Sequence, residues 1–89
     1  MTFEIAGRVQ GVGFRAYAVR LARDCGVVGW VRNDPDGKVR AEATGSDPAL
    51  LSFGAGLRMG PPDADVETLE ATVVGEVARP RRSDFAVED

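Results

Sequence analysis

A glycine-rich stretch near the start of the chain, GRVQGVGFR at positions 7–15, has the composition of an anion-binding loop. Glycine lets a backbone curl so that successive N–H groups point inward, which forms a concave anion site. The N-terminus of a following helix would add N–H donors and a partial positive charge. Arg15, at the start of that helix, could place two hydrogen bonds on a phosphate group. The stretch therefore indicates a phosphoryl site; an ordinary glycine-rich turn with a surface arginine is the alternative.

The stretch matches none of the common phosphate-binding motifs. The chain has no G-x-x-x-x-G-K-[ST] sequence, which argues against a nucleotide P-loop. Gly11 and Gly13 lack the third glycine of a dinucleotide-binding fingerprint. A cysteine phosphatase would carry its nucleophile where this chain has Val9. The predicted site thus has donors and a positive charge but no covalent nucleophile.

The residues available for acid–base and metal chemistry are few. The sequence contains no histidine, so the commonest general acid and base at neutral pH is absent. Cys25 is the single cysteine, which rules out an internal disulfide and a multi-cysteine metal site, and we interpret it as a small core residue rather than a reactive thiol. We therefore expect no metal and no cofactor.

Such a site needs a substrate whose leaving group departs without being protonated. A mixed carboxylic–phosphoric anhydride meets that requirement, with water as the nucleophile if a side chain orients it. A neutral amide can accept a hydrogen bond from water and donate one to a phosphoryl oxygen. Asn33, at the end of a predicted strand, could take this role; the alternative is that it serves only the adjacent turn, Asp34–Gly37.

The pattern of apolar residues predicts the strands that would position these groups. A period of two is typical of a half-buried strand, and segments of this kind recur along the chain. The turn Asp34–Gly37 should join the second and third of them as a hairpin. The predicted strands are residues 3–9, 27–33, 38–45 and 66–77, and after a short RPRR linker a fifth at 83–88.

Two helices are predicted between the strands. The first runs from Phe14 or Arg15 to Cys25 and ends at Gly26. The second has Asp47 as its N-cap and Pro48 as its first residue, and it ends at GPP, positions 60–62. The apolar faces consist of Phe14, Ala18, Leu21, Ala22 and Cys25 in the first helix and of Leu50, Leu51, Phe53 and Leu57 in the second.

Gly54 and Gly56 lie inside the second predicted helix. Each should weaken it by about 1 kcal/mol relative to alanine. We therefore expect this helix to be the least stable element of the protein.

The order β-α-β-β-α-β predicts an α+β fold. Two helices must cover one face of an antiparallel sheet, because a helix stripe and a sheet face each need an apolar partner. This is the ferredoxin-like sandwich, here with a short extra C-terminal strand. We expect residues 1–89 to form a single domain.

Charge and hydropathy exclude several classes of partner. The net charge is −3, with a basic first half and an acidic second half, which disfavours general nucleic-acid binding. Trp30 is interpreted as core or sheet-face packing rather than a platform for stacking bases. No apolar run is long enough to cross a membrane and no export leader is visible, so we expect a cytoplasmic protein.

Two motifs together resemble the signatures of the acylphosphatase family. They are GRVQGVGFR at 7–15 and GWVRNDPDGKV at 29–39, and the pair is more specific than either glycine loop alone. The similarity extends to GPP at 60–62 and SDF at 83–85, so it covers nearly the whole chain.

The resemblance implies an enzyme that hydrolyses acyl phosphates to a carboxylate and inorganic phosphate. It implies a ferredoxin-like domain that works without a metal or a phosphoenzyme. We also expect a monomer that needs no cofactor, with inorganic phosphate as product and competing ligand. By the same resemblance, Arg15 binds phosphate and Asn33 orients the attacking water. The backbone amides implied to complete the phosphate cradle are those of Gln10, Gly11, Val12, Gly13 and Phe14.

Two residues depart from the family pattern. Gly13 stands where many members carry a larger residue, and GVGFR also resembles an acylphosphatase-like domain of a carbamoyltransferase that handles carbamoyl phosphate. Asp34 follows the asparagine, and its carboxylate would weaken phosphate binding if it faced the ligand. A carbamoyl-phosphate domain and a non-catalytic phosphate-binding module therefore stay as alternatives.

Overall fold

A computed structural model of the chain describes residues 1–74 and 83–88. Within them, one five-stranded sheet packs against two helices, and the helices contact each other. The elements are β1 (Thr2–Arg8), α1 (Phe14–Cys25), β2 (Val28–Asn33), β3 (Val39–Thr44), α2 (Asp47–Met59), β4 (Asp65–Thr72) and β5 (Phe85–Val87).

The strand order in the sheet is β4-β1-β3-β2-β5. β3 runs antiparallel to both β1 and β2, so β1 and β2 are parallel to each other and separated by β3. Val39, the first residue of β3, pairs with Ile5 of β1 and with Asn33 of β2. The carboxyl ends of β1 and β2 therefore lie at the same edge of the sheet, on either side of the start of β3.

The predicted ferredoxin-like order of elements is confirmed, with two differences in the strands. The sheet is mixed rather than antiparallel throughout, because β5 pairs in parallel with β2. The fourth strand ends at Thr72, before Val73 and Val74, where a strand was predicted to continue. The predicted strand residues 75–77 and the whole RPRR linker, residues 79–82, lie outside the described residues.

Aromatic side chains join α2 to the sheet. The ring of Phe53 lies edge-on between those of Phe3 and Phe85, with centroids 5.5 and 5.3 Å away. All three rings are buried, and each such pair adds about 0.5–1.5 kcal/mol beyond the burial of its apolar area. Because Phe85 belongs to β5, this contact also fixes the short last strand to the core.

The apolar face of α1 follows the prediction. Phe14, Ala18 and Ala22 are buried, and Leu21 and Cys25 are partly buried against the core. Cys25 is a free thiol that packs at the end of the helix, which agrees with its interpretation as a small core residue.

The beginning and the apolar stripe of α2 differ from the prediction. Ser46, not Asp47, is the N-cap, and its hydroxyl accepts a hydrogen bond from the N–H of Ala49 at 3.2 Å. Ser and Asp are both good caps, so neighbouring candidates differ by one residue in register. Leu51 was predicted in the apolar stripe but is 75% exposed, since the face that packs on the sheet carries Phe53 and Leu57.

Gly56 has a packing role that its helix propensity does not reveal. A Cβ at this position would lie 2.5 Å from Cδ2 of Leu21, so the missing side chain lets α1 and α2 approach closely. At the same contact the Tyr17 hydroxyl donates a 2.7 Å hydrogen bond to the Gly56 carbonyl, and burial raises the pKa of Tyr17. The low stability of α2 relative to the other elements stays a prediction.

Trp30 lies on the sheet face that carries Arg32 and Arg40. The guanidinium carbon of Arg32 lies 4.9 Å from the centre of the Trp30 ring, within the range of a cation–π contact. The predicted sheet-face packing of Trp30 is in accord with this position. Neither helix that the structure describes is long and apolar enough to span a lipid bilayer.

Candidate active site

The glycine loop leads directly into α1. Gly11 and Gly13 have φ angles of 74° and 78°, in the left-handed region that favours glycine. Gly13 is the N-cap of α1, and its carbonyl accepts the first helical hydrogen bond from the N–H of Tyr17 at 3.1 Å. Gly13 offers no side-chain cap to the helix. The first turn of α1 therefore presents backbone N–H donors and the positive end of the helix dipole to the loop.

Asn33 comes from the end of β2. Side chains alternate along a strand, so Asn33 shares the helix-covered face with the fully buried Val31. Its Oδ1 is buried and has no hydrogen-bond partner among the described residues. A buried acceptor without a partner costs about 1–3 kcal/mol, which makes this oxygen an unusual feature of the fold.

One cavity of about 360 Å³ brings the loop, the start of α1 and Asn33 together. Of the residues that the sequence assigned to the site, this cavity is lined by Gly11, Gly13, Phe14, Arg15 and Asn33. Gln10 and Val12 do not line it. Side chains and backbone from two distant segments of the sequence thus share one concave surface.

Three apolar residues complete the lining and were missed by sequence reasoning: Val9, Ala16 and Val87. Val87 reaches the cavity because β5 pairs with β2, where it lies opposite Val31 and the Glu88 N–H donates to the Val31 carbonyl at 2.8 Å. The sequence indicated a fifth strand but held no signal for its partner, so this wall of the cavity could not be predicted.

The Gln10 side chain contacts the β2–β3 turn instead of the cavity. Its Nε2 donates hydrogen bonds to the carbonyls of Asp34 at 2.7 Å and Lys38 at 3.0 Å. The sequence analysis assigned only the backbone of Gln10 to the site. No local sequence pattern reports a side chain that binds a turn elsewhere in the chain.

The carboxylate of Asp34 is engaged by arginines. Arg32 Nε donates to Asp34 Oδ1 at 2.9 Å, and Arg40 Nε donates to Oδ2. The Asp34 side chain is only 13% exposed, and burial alone would raise its pKa. The hydrogen bonds and charges of Arg32 and Arg40 outweigh that effect and hold the pKa below its usual range. The repulsion that the Asp34 carboxylate would exert on a phosphate is thereby offset by two adjacent guanidinium groups.

Further ion pairs continue from Arg40 across the sheet. Arg40 Nη1 lies 2.9 Å from Glu4 Oε2, and Lys38 Nζ lies 2.7 Å from Glu4 Oε1. The hydrogen bond to Glu4 raises the pKa of Lys38. Charged groups of β1, β3 and the turn are thus linked on the sheet face that carries Trp30 and Arg32, opposite the face of Asn33.

The geometry is suited to a tetrahedral oxyanion. Backbone donors, a helix N-terminus and one guanidinium group surround the cavity, and an amide side chain lies at its edge. A model of the acylphosphatase family matches residues 1–87. The chain belongs to the acylphosphatase family.

Individual relatives agree with this assignment. The chain is 53% identical to an acylphosphatase of Salinibacter ruber over 66 residues, which cover 74% of this chain and 70% of the relative. It is 46% identical to an acylphosphatase of Actinobacillus succinogenes over 88 residues, covering 97% of this chain and 93% of the relative. The crystal structure of the Bacillus subtilis acylphosphatase superimposes with a TM-score of 0.92 at 32% identity, covering 99% of this chain and 96% of that one.

The predicted family, fold and enzyme class are therefore confirmed. Acylphosphatases match this chain at about half identity over most of its length, and the acylphosphatase fold is reproduced along the whole length compared. What each residue does within this acylphosphatase site is a separate question, which the contacts described above help to answer.

Proposed function

We propose that the cavity between Gly11, Arg15 and Asn33 binds the phosphoryl group of an acyl phosphate. The protein then hydrolyses the bond between this group and the acyl oxygen. The observation that carries this proposal is that Arg15 and Asn33, from different elements, line the same cavity as the glycine loop. The Arg15 guanidinium and the backbone amides of Gly11, Gly13 and Phe14, which line the cavity, hold the three phosphoryl oxygens. The amides of Gln10 and Val12 belong to the same loop but do not line the cavity, so their part in the cradle rests on the family resemblance alone.

The amide of Asn33 orients the attacking water. Its Oδ1 accepts a hydrogen bond from the water while Nδ2 donates to a phosphoryl oxygen, which places the water oxygen in line with the bond to be broken. A buried acceptor that has no partner among the described residues is suited to this role, because binding the water satisfies it.

The bond changes need no acid or base from the protein. The water oxygen forms a bond to phosphorus as the bond from phosphorus to the acyl oxygen breaks, and the electron pair leaves with the carboxylate. A carboxylate with an ordinary pKa of about 4 departs unprotonated, and the water proton passes to a phosphate oxygen or to solvent. The loop amides and Arg15 stabilise the charge that spreads over the phosphoryl oxygens in the transition state.

The finer properties of the enzyme are also proposals. We infer that it acts as a cytoplasmic monomer on small acyl phosphates, that inorganic phosphate competes with the substrate, and that neither a metal nor a nucleic acid takes part. The acidic net charge supports the absence of nucleic acid, and the small size of the cavity with Arg15 in its wall supports a small anionic substrate.

Hydrolysis of benzoyl phosphate, followed by its loss of absorbance, tests the proposal with the wild type and the variant Asn33→Ala. We expect Asn33→Ala to lower kcat about 100-fold while inorganic phosphate inhibits at a similar concentration, because the cradle and Arg15 are intact. EDTA should leave the wild-type rate unchanged.

Other outcomes separate the alternatives. Phosphate binding with no hydrolysis of any acyl phosphate would favour a binding module, and hydrolysis confined to carbamoyl phosphate would favour the carbamoyl-phosphate domain. Near-native turnover by Asn33→Ala would disprove the water-orienting role.

A further inference from the structure

The Gln10 side chain connects the two halves of the site. It belongs to the loop that follows β1, and its amide donates both hydrogen bonds to carbonyls of the β2–β3 turn, at 2.7 Å to Asp34 and 3.0 Å to Lys38. Asp34 directly follows Asn33 in the sequence. The only covalent path between these halves runs through the whole of α1 and β2, so this contact is a direct link between them.

The turn that receives these bonds is closed on itself. The Asp34 N–H donates to the Lys38 carbonyl at 2.9 Å, and the Gly37 N–H donates to the Asp34 carbonyl at 3.1 Å. Both carbonyls that Gln10 contacts are therefore the acceptors that close the hairpin. A side chain bound to both of these carbonyls fixes the loop relative to the end of β2.

Asp34 is also held from its side chain. Its carboxylate binds Arg32 and Arg40, which pair with each other across β2 and β3. Two like charges in directly opposed positions repel each other, and the carboxylate between them offsets that repulsion. The residue after Asn33 is thus fixed through its carboxylate by the sheet and through its carbonyl by Gln10.

We propose that the Gln10 side chain is a positioning residue that sets the distance between the phosphate cradle and the Asn33 amide. It does not line the cavity, so it acts through Asn33 rather than on the substrate. Without it, the loop still curls through Gly11 and Gly13 and still carries Arg15, but the turn can move relative to the loop. An error of about 1 Å in the placement of a reacting group can lower a rate as much as 100-fold. The inference rests on the proposed role of Asn33.

The test is a double-mutant cycle in the benzoyl phosphate assay with Gln10→Met and Asn33→Ala. Methionine has nearly the size of glutamine but no donor, so Gln10→Met keeps the packing and removes both hydrogen bonds. We expect Gln10→Met alone to lower kcat about 10-fold to 100-fold and to change the inhibition constant of inorganic phosphate less than about threefold. In the Asn33→Ala background the same substitution should change kcat less than about twofold, because its effect acts through Asn33.

Two controls keep the result interpretable. Gln10→Glu retains the length but places a carboxylate against two carbonyls, so it should be at least as slow as Gln10→Met. Tyr17→Phe removes another side-chain-to-backbone hydrogen bond, at the contact between α1 and α2, and should lower the Tm without changing kcat.

The inference and the proposed function fail in different ways. The inference would be overturned if Gln10→Met had a wild-type kcat. It would also be overturned if Gln10→Met lowered kcat equally in the wild-type and Asn33→Ala backgrounds. Neither result would contradict hydrolysis at this cavity. A wild-type kcat in Asn33→Ala alone would overturn the water-orienting role itself.

Discussion

The two helices of this protein begin in opposite ways. α2 has a serine N-cap, with the Ser46 hydroxyl bonded to the Ala49 N–H, and an acidic residue, Asp47, in its first turn. α1 has a glycine N-cap that offers no side chain, and its first turn carries Arg15 and no acidic residue. Both helices follow a strand of the same sheet, but residues 9–13 lead into α1 and only Gly45 and Ser46 lead into α2.

This difference separates a helix end that is stabilised by its own residues from one that faces the candidate site. A serine cap contributes about 1 kcal/mol, and an acidic group in the first turn adds about 0.3–1 kcal/mol through the helix dipole. α1 has neither contribution, and Arg15 places a positive charge at the positive end of the dipole. An anion in the adjoining cavity would supply both the missing hydrogen-bond acceptors and the missing negative charge.

Among substitutions at the two helix starts, Arg15→Ala should have the largest effect on activity. Loss of the guanidinium removes the charged partner of the phosphoryl group, and we expect kcat/KM for benzoyl phosphate to fall about 1,000-fold, with phosphate inhibition lost as well. Steady-state assays with phosphate as competitor measure both effects. Arg20→Ala, an exposed arginine on the same helix, is the matched control and should stay within about twofold of wild type. Full phosphate inhibition in Arg15→Ala would remove this residue from the site.

Gly13→Ala should have the next largest effect. The φ angle of 78° is unfavourable for alanine by about 1–2 kcal/mol, although a Cβ there would meet nothing within 4 Å. We expect the free energy of unfolding to fall by that amount and kcat/KM to fall about tenfold, as the loop relaxes away from its curled form. Urea denaturation and the benzoyl phosphate assay measure the two quantities.

Gly26 provides the matched control for Gly13. It caps the other end of α1 with a φ angle of 79° and equally open space around a Cβ. Gly26→Ala should therefore lose similar stability but keep wild-type activity. Equal losses of activity in the two variants would show that Gly13 acts only on the stability of the helix.

Ser46→Ala should have the smallest effect. The variant loses the cap of α2, and we expect the free energy of unfolding to fall by about 1 kcal/mol with no change in kcat or KM. Urea denaturation curves for wild type and variant measure the loss. A change in kcat larger than about twofold would contradict the idea that this helix end has no part in the reaction.

The sequence predicted most of the fold because its local signals agree with the tertiary structure. Short segments of the sequence are enough to identify the glycine loop, Arg15 and the strand that ends at Asn33. Gly11, Gly13, Arg15 and Asn33 all line the cavity. The choice of Ser46 over Asp47 as N-cap is a difference of one residue, which local pattern does not resolve. The exposure of Leu51 depends on which face of α2 packs on the sheet, and that face carries Phe53 and Leu57.

The missed contributions come from contacts between distant segments. Val87 lines the cavity only because β5 pairs with β2, and the Gln10 side chain binds carbonyls of a turn that follows two further elements. The same holds for Gly56, which is expected to weaken α2 and also makes room for Leu21. Such pairings are set by the packed structure, so a single sequence does not display them.

The central position of β3 separates the two strands, β1 and β2, that lead to the proposed phosphate cradle and to Asn33. β3 keeps β1 and β2 two strand spacings apart, about 9–10 Å, and its residues, all described by the structure, do not line the cavity. The proposed phosphate cradle and the proposed water-orienting amide of Asn33 therefore follow two strands, β1 and β2, that do not pair with each other. With these proposed roles, phosphate affinity and turnover can change independently during evolution, and a single substitution of Asn33 is expected to leave a protein that binds phosphate without hydrolysing acyl phosphates.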